Sequence, residues 1–529
     1  MTRGPINDET PCTMHSATAR LEALEREGSS PPPVPDGPYL VAGLARAGDA
    51  AIRALSGIGH HPVAAWDGLI SPDTRRRRRQ LQSEGIPVYL GPQRRPDELL
   101  HALRPGCIVK SPGIPPHTPV IAEAVAERVT LIDELELGWR LARAPVVAVT
   151  GTNGKSTVAA LIHAVLKHAG TRSALVGNTL YGPPLSAAPN WASALVCEVS
   201  SYQLETCPKF LPAVGVFTNL SRDHLHRHGS MARYAACKRG VFRRDGRSVR
   251  LAVINADDPF GRRLAHEVQT AGGRCVLYGT HPSAHYRIRS CAWTLTHNHI
   301  AIETPRGCLD VRPHLPGSHN ASNVAAALAL AGALGVADDC AKVALEEAEA
   351  PPGRFEIVVH DRPFDVIVDY AHSPDGFKQA LDTARRILDH RRDRRLRVVA
   401  GTVGGHDPAE QHRSGQVLRS KADELVLTTS NLRGERPLPI VQDMLRGARS
   451  VFGGNVRVVL NRRAAIGETL AEARPGDLVL VLGRGPLTRQ MIDRSGIWHE
   501  FDDRAVVRGL LGADASALRA LPEPQLSPA

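Results

Sequence analysis

The residues best suited to chemistry stand between a predicted strand and a predicted helix. Residues 146–149 are apolar and predict a buried strand, and residues 155–168 carry apolar side chains at helical spacing. Between them runs Thr150-Gly151-Thr152-Asn153-Gly154-Lys155-Ser156-Thr157. Backbone N–H groups at a helix N-terminus attract anions. We therefore predict a phosphate-binding loop, in which Lys155 reaches the terminal phosphates and Ser156 or Thr157 offers a hydroxyl to Mg²⁺.

The spacing of this loop departs from the usual pattern. Phosphate loops commonly have four residues between two glycines, but Val149 occupies the first glycine position and Gly151 follows two residues later. The alternative interpretation is a glycine-rich turn that binds nothing. We favour the phosphate loop, in a tighter variant, because strand, turn, lysine and paired hydroxyls occur in the required order.

Three further polar residues follow or interrupt predicted elements of the same region. Glu198 ends an apolar strand, where a buried carboxylate is costly unless it is paired, and carboxylate oxygen is what Mg²⁺ prefers. His224 is the first of three histidines within five residues, and Lys238 lies on a predicted helix. The alternatives are a surface carboxylate and a solvated histidine loop. We favour a metal or phosphate role for His224, because it follows a strand end.

Composition excludes some classes of protein. The 529 residues predict about three domains, and no apolar run approaches the roughly 18 residues of a membrane span. The polar N-terminus lacks a secretion signal, so we expect a cytoplasmic protein with no membrane partner and nine reduced cysteines. The net charge is +11, but the run Arg75 to Arg79 has no interleaved aromatic residues, so we expect a solvated helix face rather than nucleic-acid binding.

The order of the predicted elements defines the fold class and the domains. Residues 1–37 form a disordered, Pro-rich extension and linker, and residues 38–143 alternate strands and helices as a Rossmann-like domain. Residues 144–348 form a central P-loop-type ATPase domain with a parallel sheet. Residues 349–512 form a second Rossmann-like domain with five predicted strands, and residues 513–529 are a tail. The predicted class is therefore α/β with three domains.

A set of motifs resembles the Mur ligase family, in the family's order, between residues 38 and 512. The motifs are the loop 150–157, Glu198-Val199-Ser200-Ser201-Tyr202-Gln203-Leu204, Asn219 with Asp223-His224, Lys238, His319-Asn320 with Asn323, Gly353-Arg354-Phe355-Glu356 and Asp369-Tyr370-Ala371-His372-Ser373-Pro374. The resemblance implies a ligase that adds an amino acid to a UDP-N-acetylmuramoyl precursor of peptidoglycan, with ATP and Mg²⁺, through an acyl phosphate. We expect a monomer.

The resemblance also implies roles for individual residues. Catalytic roles fall on Lys155, Glu198, His224, Lys238 and Arg354. ATP binding falls on Gly151, Thr152, Asn153, Gly154, Lys155, Ser156, Thr157, Asn320, Asn323, Arg354 and Asp369. Metal binding falls on Ser156, Thr157, Glu198, His224 and Lys238, of which the lysine is carbamylated in the family. The resemblance implies that Asp67, Ser111, Gly113 and Asn178 bind the UDP-substrate. It implies that His372 and Arg433 bind the amino acid.

The identity of the incoming amino acid is the least determined feature. The front half resembles the D-glutamate-adding ligase, whereas Asp369-Tyr370-Ala371-His372 and Asn431-Leu432-Arg433 resemble the diamino-acid-adding ligase. In Gly485-Pro486-Leu487 the acid that would bind a distant amine is missing. We therefore predict glutamate, with D-Glu favoured, added to UDP-N-acetylmuramoyl-L-alanine. The alternatives are a diamino-acid-adding ligase, a Mur-like ligase of another pathway, and a catalytically silent nucleotide-binding protein.

Overall fold

The computed structural model describes residues 16–512, apart from residues 29, 61, 94, 389–393, 406, 433–434, 454 and 492–496. Strands pair into three large sheets, each surrounded by helices, which confirms the predicted three-domain α/β class. Arg433 and the predicted tail, residues 513–529, lie outside the described residues. No helix of the described residues is long and apolar enough to span a membrane.

The first helix corrects the predicted disorder of the N-terminal extension. Helix α1 (Ser16–Glu27) places Ala17, Leu21 and Leu24 in the largest hydrophobic core of the central domain. Their spacing of four and three residues puts them on one helical face. Arg250 Nε donates to the carbonyl of Glu27 at 2.6 Å, which fixes the end of the helix. The extension is therefore partly a structural element of the central domain.

Truncation of Leu21 tests the contribution of this helix to stability. The side chain is fully buried, so Leu21→Ala is expected to lower the free energy of unfolding by about 2–5 kcal/mol. Urea denaturation followed by circular dichroism measures the change. Arg26→Ala is the control, because Arg26 is exposed on the same helix, and it should change the free energy by less than about 0.5 kcal/mol. Equal stabilities of the two variants would contradict the packing role.

The N-terminal sheet is entirely parallel, with strand order β3-β2-β1-β4-β5. Its carboxyl edge is where ligands bind in such sheets. Helix α6 leads into the central domain and packs Leu135 and Trp139 into that domain's core. The elements are β1 (Tyr39–Ala42), α2 (Arg46–Gly57), β2 (Ala64–Asp67), α3 (Pro72–Ser83), β3 (Val88–Leu90), α4 (Pro96–Leu103), β4 (Cys107–Lys110), α5 (Pro119–Ala126), β5 (Thr130–Asp133) and α6 (Glu134–Leu141).

The central sheet has nine strands in the order β16-β15-β14-β13-β12-β9-β6-β8-β7. Strands β14, β15 and β16 extend the sheet at one edge, where β14 is parallel to β13 and the two outer pairs are antiparallel. The elements are β6 (Val146–Thr150), α7 (Lys155–His168), β7 (Ser173–Gly177), a 3₁₀ turn (Leu185–Ala187), β8 (Ala194–Glu198), α8 (Ser201–Leu204), β9 (Val214–Phe217), α9 (Leu225–His228), α10 (Met231–Arg239), β10 (Arg243–Arg244), β11 (Arg247–Ser248), β12 (Leu251–Asn255), α11 (Pro259–Thr270), β13 (Arg274–Gly279), β14 (Tyr286–Trp293), β15 (Asn298–Thr304), β16 (Gly307–Val311), α12 (Ser318–Ala333) and α13 (Asp338–Glu347).

The C-terminal sheet has the order β17-β18-β22-β19-β20-β21 and is parallel except at the short edge strand β17. The five strands predicted for this domain correspond to β18, β19, β20, β21 and β22, and the short strands β17, β23 and β24 were not predicted. The elements are β17 (Glu356–Ile357), β18 (Asp365–Asp369), α14 (Pro374–Leu388), β19 (Leu396–Ala400), α15 (Pro408–Lys421), β20 (Glu424–Leu427), α16 (Pro437–Arg449), β21 (Asn455–Val458), α17 (Arg462–Glu472), β22 (Leu478–Leu482), β23 (Arg489–Gln490), β24 (His499–Glu500) and α18 (Asp503–Gly512).

The cysteines depart from the expectation in one place. Seven are free thiols in the described structure, most of them buried as small core residues. Cys340, however, is disulfide-bonded, so the prediction that all nine are reduced is wrong at this position.

Candidate active site

Elements of all three domains line one cleft of about 760 Å³. The carboxyl ends of β6, β8 and β18 face it, which is where parallel sheets bind ligands. Most of the predicted site residues meet here. Those lining the cleft are Gly113, Thr152, Asn153, Gly154, Lys155, Ser156, Asn178, Glu198, His224, Lys238, Arg354 and His372.

The loop between β6 and α7 has the geometry of an anion cradle. Gly151 and Gly154 have φ angles of 151° and 82°, which favour glycine, and a Cβ at Gly154 would collide with the side chain of Asn323. Gly154 is the N-cap of α7, and within the described structure no side chain caps this helix. Its first N–H groups are therefore available to an anion, which fits the predicted phosphate loop.

Lys155 lies at the start of α7 and its Nζ donates to the carbonyl of Thr152 at 2.8 Å. Burial lowers the pKa of Lys155, and the nearby Glu198 carboxylate partly opposes that effect. The ammonium group therefore lies against the loop that leads into α7. This position suits a lysine that neutralises phosphate charge.

An oxygen pair suited to Mg²⁺ lies beside the loop. Ser156 Oγ donates to Glu198 Oε2 at 2.7 Å, and both residues are buried. Arg354, from the C-terminal domain, donates from Nη2 to Ser156 Oγ at 3.0 Å and stacks 4.5 Å over the Tyr370 ring. Arg354 Nε is buried and has no hydrogen-bond partner among the described residues. The Ser156 hydroxyl and the Glu198 carboxylate are oxygen donors of the kind that a hard cation binds.

A second cluster carries His224 and Lys238 on the opposite side of the loop. His224 has φ 56°, a strained value for a residue other than glycine, and its Nδ1 lies 3.2 Å from the Tyr202 hydroxyl. Lys238 is almost fully buried, donates to the carbonyl of Gly151 at 2.5 Å, and lies 4.5 Å over the Tyr234 ring. Burial lowers the pKa of Lys238 well below its ordinary value, and Lys155 adds to the effect.

Protein side chains alone do not build a complete metal centre here. Within the described ranges, no group of three His, Cys, Asp or Glu side chains is arranged to hold a metal ion. The predicted ligands instead form two partial sets, Ser156 with Glu198 and His224 with Lys238. Partial sets fit Mg²⁺, which commonly retains waters and phosphate oxygens as its other ligands.

A smaller cavity of about 70 Å³ opens behind the loop, between the central and C-terminal domains. Asn320, Asn323, Thr157 and Asp369 line it, together with Phe355. Asn323 Nδ2 donates to Asn320 Oδ1 at 2.9 Å, and Asp369 accepts from the backbone N–H groups of Phe355 and Ala371. Seven of the eleven residues predicted for ATP line this cavity, and three others, Thr152, Lys155 and Ser156, line the main cleft.

Of the four residues predicted to bind the UDP-substrate, two line the main cleft and two lie elsewhere in the N-terminal domain. Gly113 and Asn178 line the main cleft. Asp67 lies outside both cavities, where its carboxylate accepts from the N–H groups of Leu44 at 2.8 Å and Leu69 at 2.9 Å. Ser111 Oγ is buried near Gly43 and has no partner within the described part of the chain. This hydroxyl remains available to a ligand at the carboxyl edge of the N-terminal sheet.

Two functional contacts were missed by sequence reasoning. Asp375, in the first turn of α14, accepts from Asn153 Nδ2 at 2.6 Å and from Ser221 Oγ at 3.0 Å, so it joins the C-terminal domain to the phosphate loop. It directly follows the quoted motif ending at Pro374, which was an available signal. Arg227 contacts the N-terminal domain across the cleft. Arg227 stands among three histidines, and the predicted metal or phosphate role considered only the histidines of that stretch.

Comparison with known proteins identifies relatives over most of the chain. The description of the Mur ligase middle domain matches residues 149–331, and that of the Mur ligase, glutamate ligase domain, matches residues 353–485. A UDP-N-acetylmuramoyl-L-alanyl-D-glutamate–2,6-diaminopimelate ligase from Chromobacterium violaceum is 34% identical over 411 residues, which cover 73% of this chain and 81% of that protein. The ligase of the same name from Geobacillus kaustophilus is 33% identical over 396 residues, covering 69% and 78%.

A solved structure resembles the whole arrangement. The UDP-N-acetylmuramate–alanine ligase from Thermotoga maritima has a TM-score of 0.56 and 22% identity, and the match covers 85% of this chain and 96% of that one. This likeness supports the fold alone.

The names of the curated relatives correct one prediction. Addition of glutamate was expected, but the relatives of about 33% identity are named as diaminopimelate ligases. The likeness of the front half to the D-glutamate-adding ligase was therefore the wrong guide. The back-half motif beginning at Asp369 was the better one.

Proposed function

Because this chain belongs to the Mur ligase family of ATP-dependent, ADP-forming ligases, we propose that it adds a diamino acid of the 2,6-diaminopimelate type to a UDP-N-acetylmuramoyl dipeptide. The observation that carries the proposal is 34% identity over 411 residues to a ligase of that name. Lys155, Glu198, His224 and Lys238, the residues expected to act on ATP, are all present around one cleft.

The proposed reaction has two steps. A carboxylate of the UDP-linked dipeptide attacks the γ-phosphorus of ATP, which forms an acyl phosphate and releases ADP. The neutral amine of the diamino acid then attacks the acyl carbon, and inorganic phosphate leaves from the tetrahedral intermediate as the amine loses its proton. Phosphoryl transfer of this kind needs positioning and charge neutralisation more than covalent help.

The residues of this chain supply those two requirements. The N–H groups at the start of α7 and the Lys155 ammonium would hold the β- and γ-phosphates. Arg354 lies beside Ser156 and would offset charge on the acyl phosphate. Ser156 with Glu198, and His224 with Lys238, would hold Mg²⁺, which when bound neutralises phosphate charge. Asn320, Asn323 and Asp369 would contact the rest of ATP.

The proposal is tested by the dependence of phosphate release on both substrates. ATP, Mg²⁺, UDP-N-acetylmuramoyl-L-alanyl-D-glutamate and meso-diaminopimelate together should release phosphate and form the tripeptide product, detected by mass spectrometry. Omission of either the dipeptide or the amino acid should abolish product formation. Absence of product with diaminopimelate, when L-lysine or another amino acid is ligated, would reject the proposed substrate.

The loop predicted to bind the distant amine suggests weak selection for that group. Residues Gly485, Pro486 and Leu487 carry no carboxylate, and a site without a polar partner discriminates weakly against a substrate that lacks the group. We therefore expect 2-aminopimelate, which lacks the distant amine, to be ligated with a kcat/KM within about 100-fold of diaminopimelate. Competition between the two amino acids, with products separated by mass, measures the ratio. A preference of about 10⁴-fold or more would show that an acid elsewhere binds the amine.

A further inference from the structure

An arginine of the central domain holds a loop of the N-terminal domain. Residues 111–115, called here the acceptor loop, follow β4 and contribute Pro112, Gly113 and Pro115 to the cleft. Arg227, on the short helix α9, donates from Nη2 to the carbonyls of Pro112 at 3.0 Å and Ile114 at 3.1 Å. Its Nη1 reaches the carbonyl of Gly113 at 3.5 Å. One guanidinium therefore contacts three consecutive carbonyls.

The same guanidinium is anchored firmly on the central domain. Arg227 Nη2 donates to Glu205 Oε2 at 2.6 Å and Nε donates to the same carboxylate at 3.1 Å. The guanidinium carbon lies 4.4 Å over the Tyr202 ring. The side chains of Arg227 and Glu205 are only 7% and 10% exposed. Because Glu205 and Tyr202 hold the planar guanidinium on one side, the guanidinium can hold the loop carbonyls in place on its other side.

The acceptor loop depends on an external donor of this kind. Pro112 and Pro115 have no N–H groups, so the loop offers few donors to its own carbonyls. The carbonyls of Pro112 and Gly113 point to the central domain, while the buried Ser111 hydroxyl lies near Gly43 at the edge of the N-terminal sheet. The position of Arg227 therefore determines where the ligand-facing side of the loop lies.

The contacts of Arg227 also extend, through Tyr202, to His224 in the candidate active site. The Tyr202 hydroxyl lies 3.2 Å from His224 Nδ1, and the Tyr202 ring packs under Arg227. Arg227 follows His224 by three residues, so it joins the acceptor loop to the helical turn that His224 begins. A shift of about 1 Å in such positioning is enough to slow a ligation strongly.

We propose that Arg227 is a positioning residue that holds the acceptor loop in register with the catalytic face of the central domain, so that the UDP-linked carboxylate meets the phosphate loop. The inference rests on the proposed function for the identity of the acceptor. The strut formed by Glu205, Tyr202, Arg227 and the loop carbonyls is independent of turnover and can be measured without substrate.

Arg227→Lys tests the strut, because lysine keeps the charge but cannot contact three carbonyls and a carboxylate together. In hydrogen–deuterium exchange, the amides of residues 113–118 should exchange about 10-fold faster in the variant. Exchange over residues 155–168 should be unchanged. Arg239→Lys is the matched control, since Arg239 forms an arginine–carboxylate pair with Glu267 in the same domain. Equal exchange over residues 113–118 in wild type and Arg227→Lys would overturn the proposal.

Steady-state kinetics provide a second readout. Arg227→Lys should raise the KM for the UDP-linked dipeptide by about 10-fold or more while the KM for ATP stays within about twofold. Glu205→Gln, which weakens the anchor but keeps its shape, should change the same KM in the same direction by less. If Arg227→Lys fails to fold, as judged by circular dichroism, Glu205→Gln carries both measurements. A KM for ATP that rises as much as that for the dipeptide would overturn the positioning role, whereas a wild-type protein without ligation would reject the proposed function alone.

Discussion

Lys155→Ala is expected to lower kcat/KM for ATP by about 10³-fold or more, equivalent to about 4 kcal/mol of transition-state stabilisation. The ammonium group lies on the loop, where it donates to the carbonyl of Thr152 at 2.8 Å. Its removal should therefore disturb the fold little. The lost interaction is the charge-assisted contact with the transferring phosphate, which strengthens as negative charge develops in the transition state.

The measurement is phosphate release at saturating UDP-linked dipeptide and amino acid, with thermal unfolding of the variant recorded beside it. Lys167→Ala is the matched control, because Lys167 lies in the last turn of the same helix and is exposed. The control should retain activity within about twofold. A Lys155→Ala protein with nearly wild-type activity would reject the phosphate-loop assignment.

The conformation of the loop 150–157 and the bounds of its helix were predictable because their signals are local. Helix α7 begins at Lys155 and ends at His168, as the apolar spacing predicts. Gly151 and Gly154 have φ angles that only glycine adopts readily, so residue type and geometry agree. The buried strands β18, β19, β20 and β22 are short apolar runs between helices, which predicts a parallel sheet. Local pattern and tertiary structure reinforce each other in these elements.

The features that were missed depend on contacts between distant segments. Helix α1 carries only a narrow apolar stripe in an otherwise polar segment, and its stability comes from packing on the central domain. Arg227 and Asp375 act across domain interfaces, at sequence separations of more than 100 residues from their partners. The antiparallel pairs β14–β15 and β15–β16 extend the central sheet, and a sequence pattern cannot tell whether such strands form a separate sheet or extend another.

The identity of the amino acid was mispredicted for a different physical reason. The glutamate prediction rested on the resemblance of the front half and on the absence of an acid in residues 485–487, and a missing acid in one loop does not determine which amino acid a pocket prefers. Specificity is a difference in affinity that a few side chains determine. The motif around Asp369 and Tyr370 carried the better information, because it resembles the diamino-acid-adding ligase and the relatives of about 33% identity bear that ligase's name.

The Lys238 side chain presents a chemical problem that carbamylation would solve. An ammonium group has no lone pair for a metal, yet Lys238 lines the cleft beside His224, where it contacts the Gly151 carbonyl and the Tyr234 ring. Burial lowers its pKa well below the ordinary value, so a larger fraction of neutral amine is available at a given pH. A neutral amine adds to CO₂ and releases one proton, which converts the group into an oxygen ligand suited to Mg²⁺.

Lys238→Ala is therefore expected to lose activity by about 10²-fold or more, with partial recovery on addition of formate or acetate, whose oxygens replace those of the carbamate. Lys238→Arg should stay inactive with or without added carboxylate, because a guanidinium is always charged and fills the space. Lys155→Ala is the matched control: it should be equally impaired, but short carboxylates should not restore it, since the group lost there is a cation. Recovery of both alanine variants by carboxylate, or full activity of Lys238→Arg, would contradict the carbamate role. Carboxylate rescue confined to Lys238→Ala would identify an oxygen ligand as the function of this buried lysine.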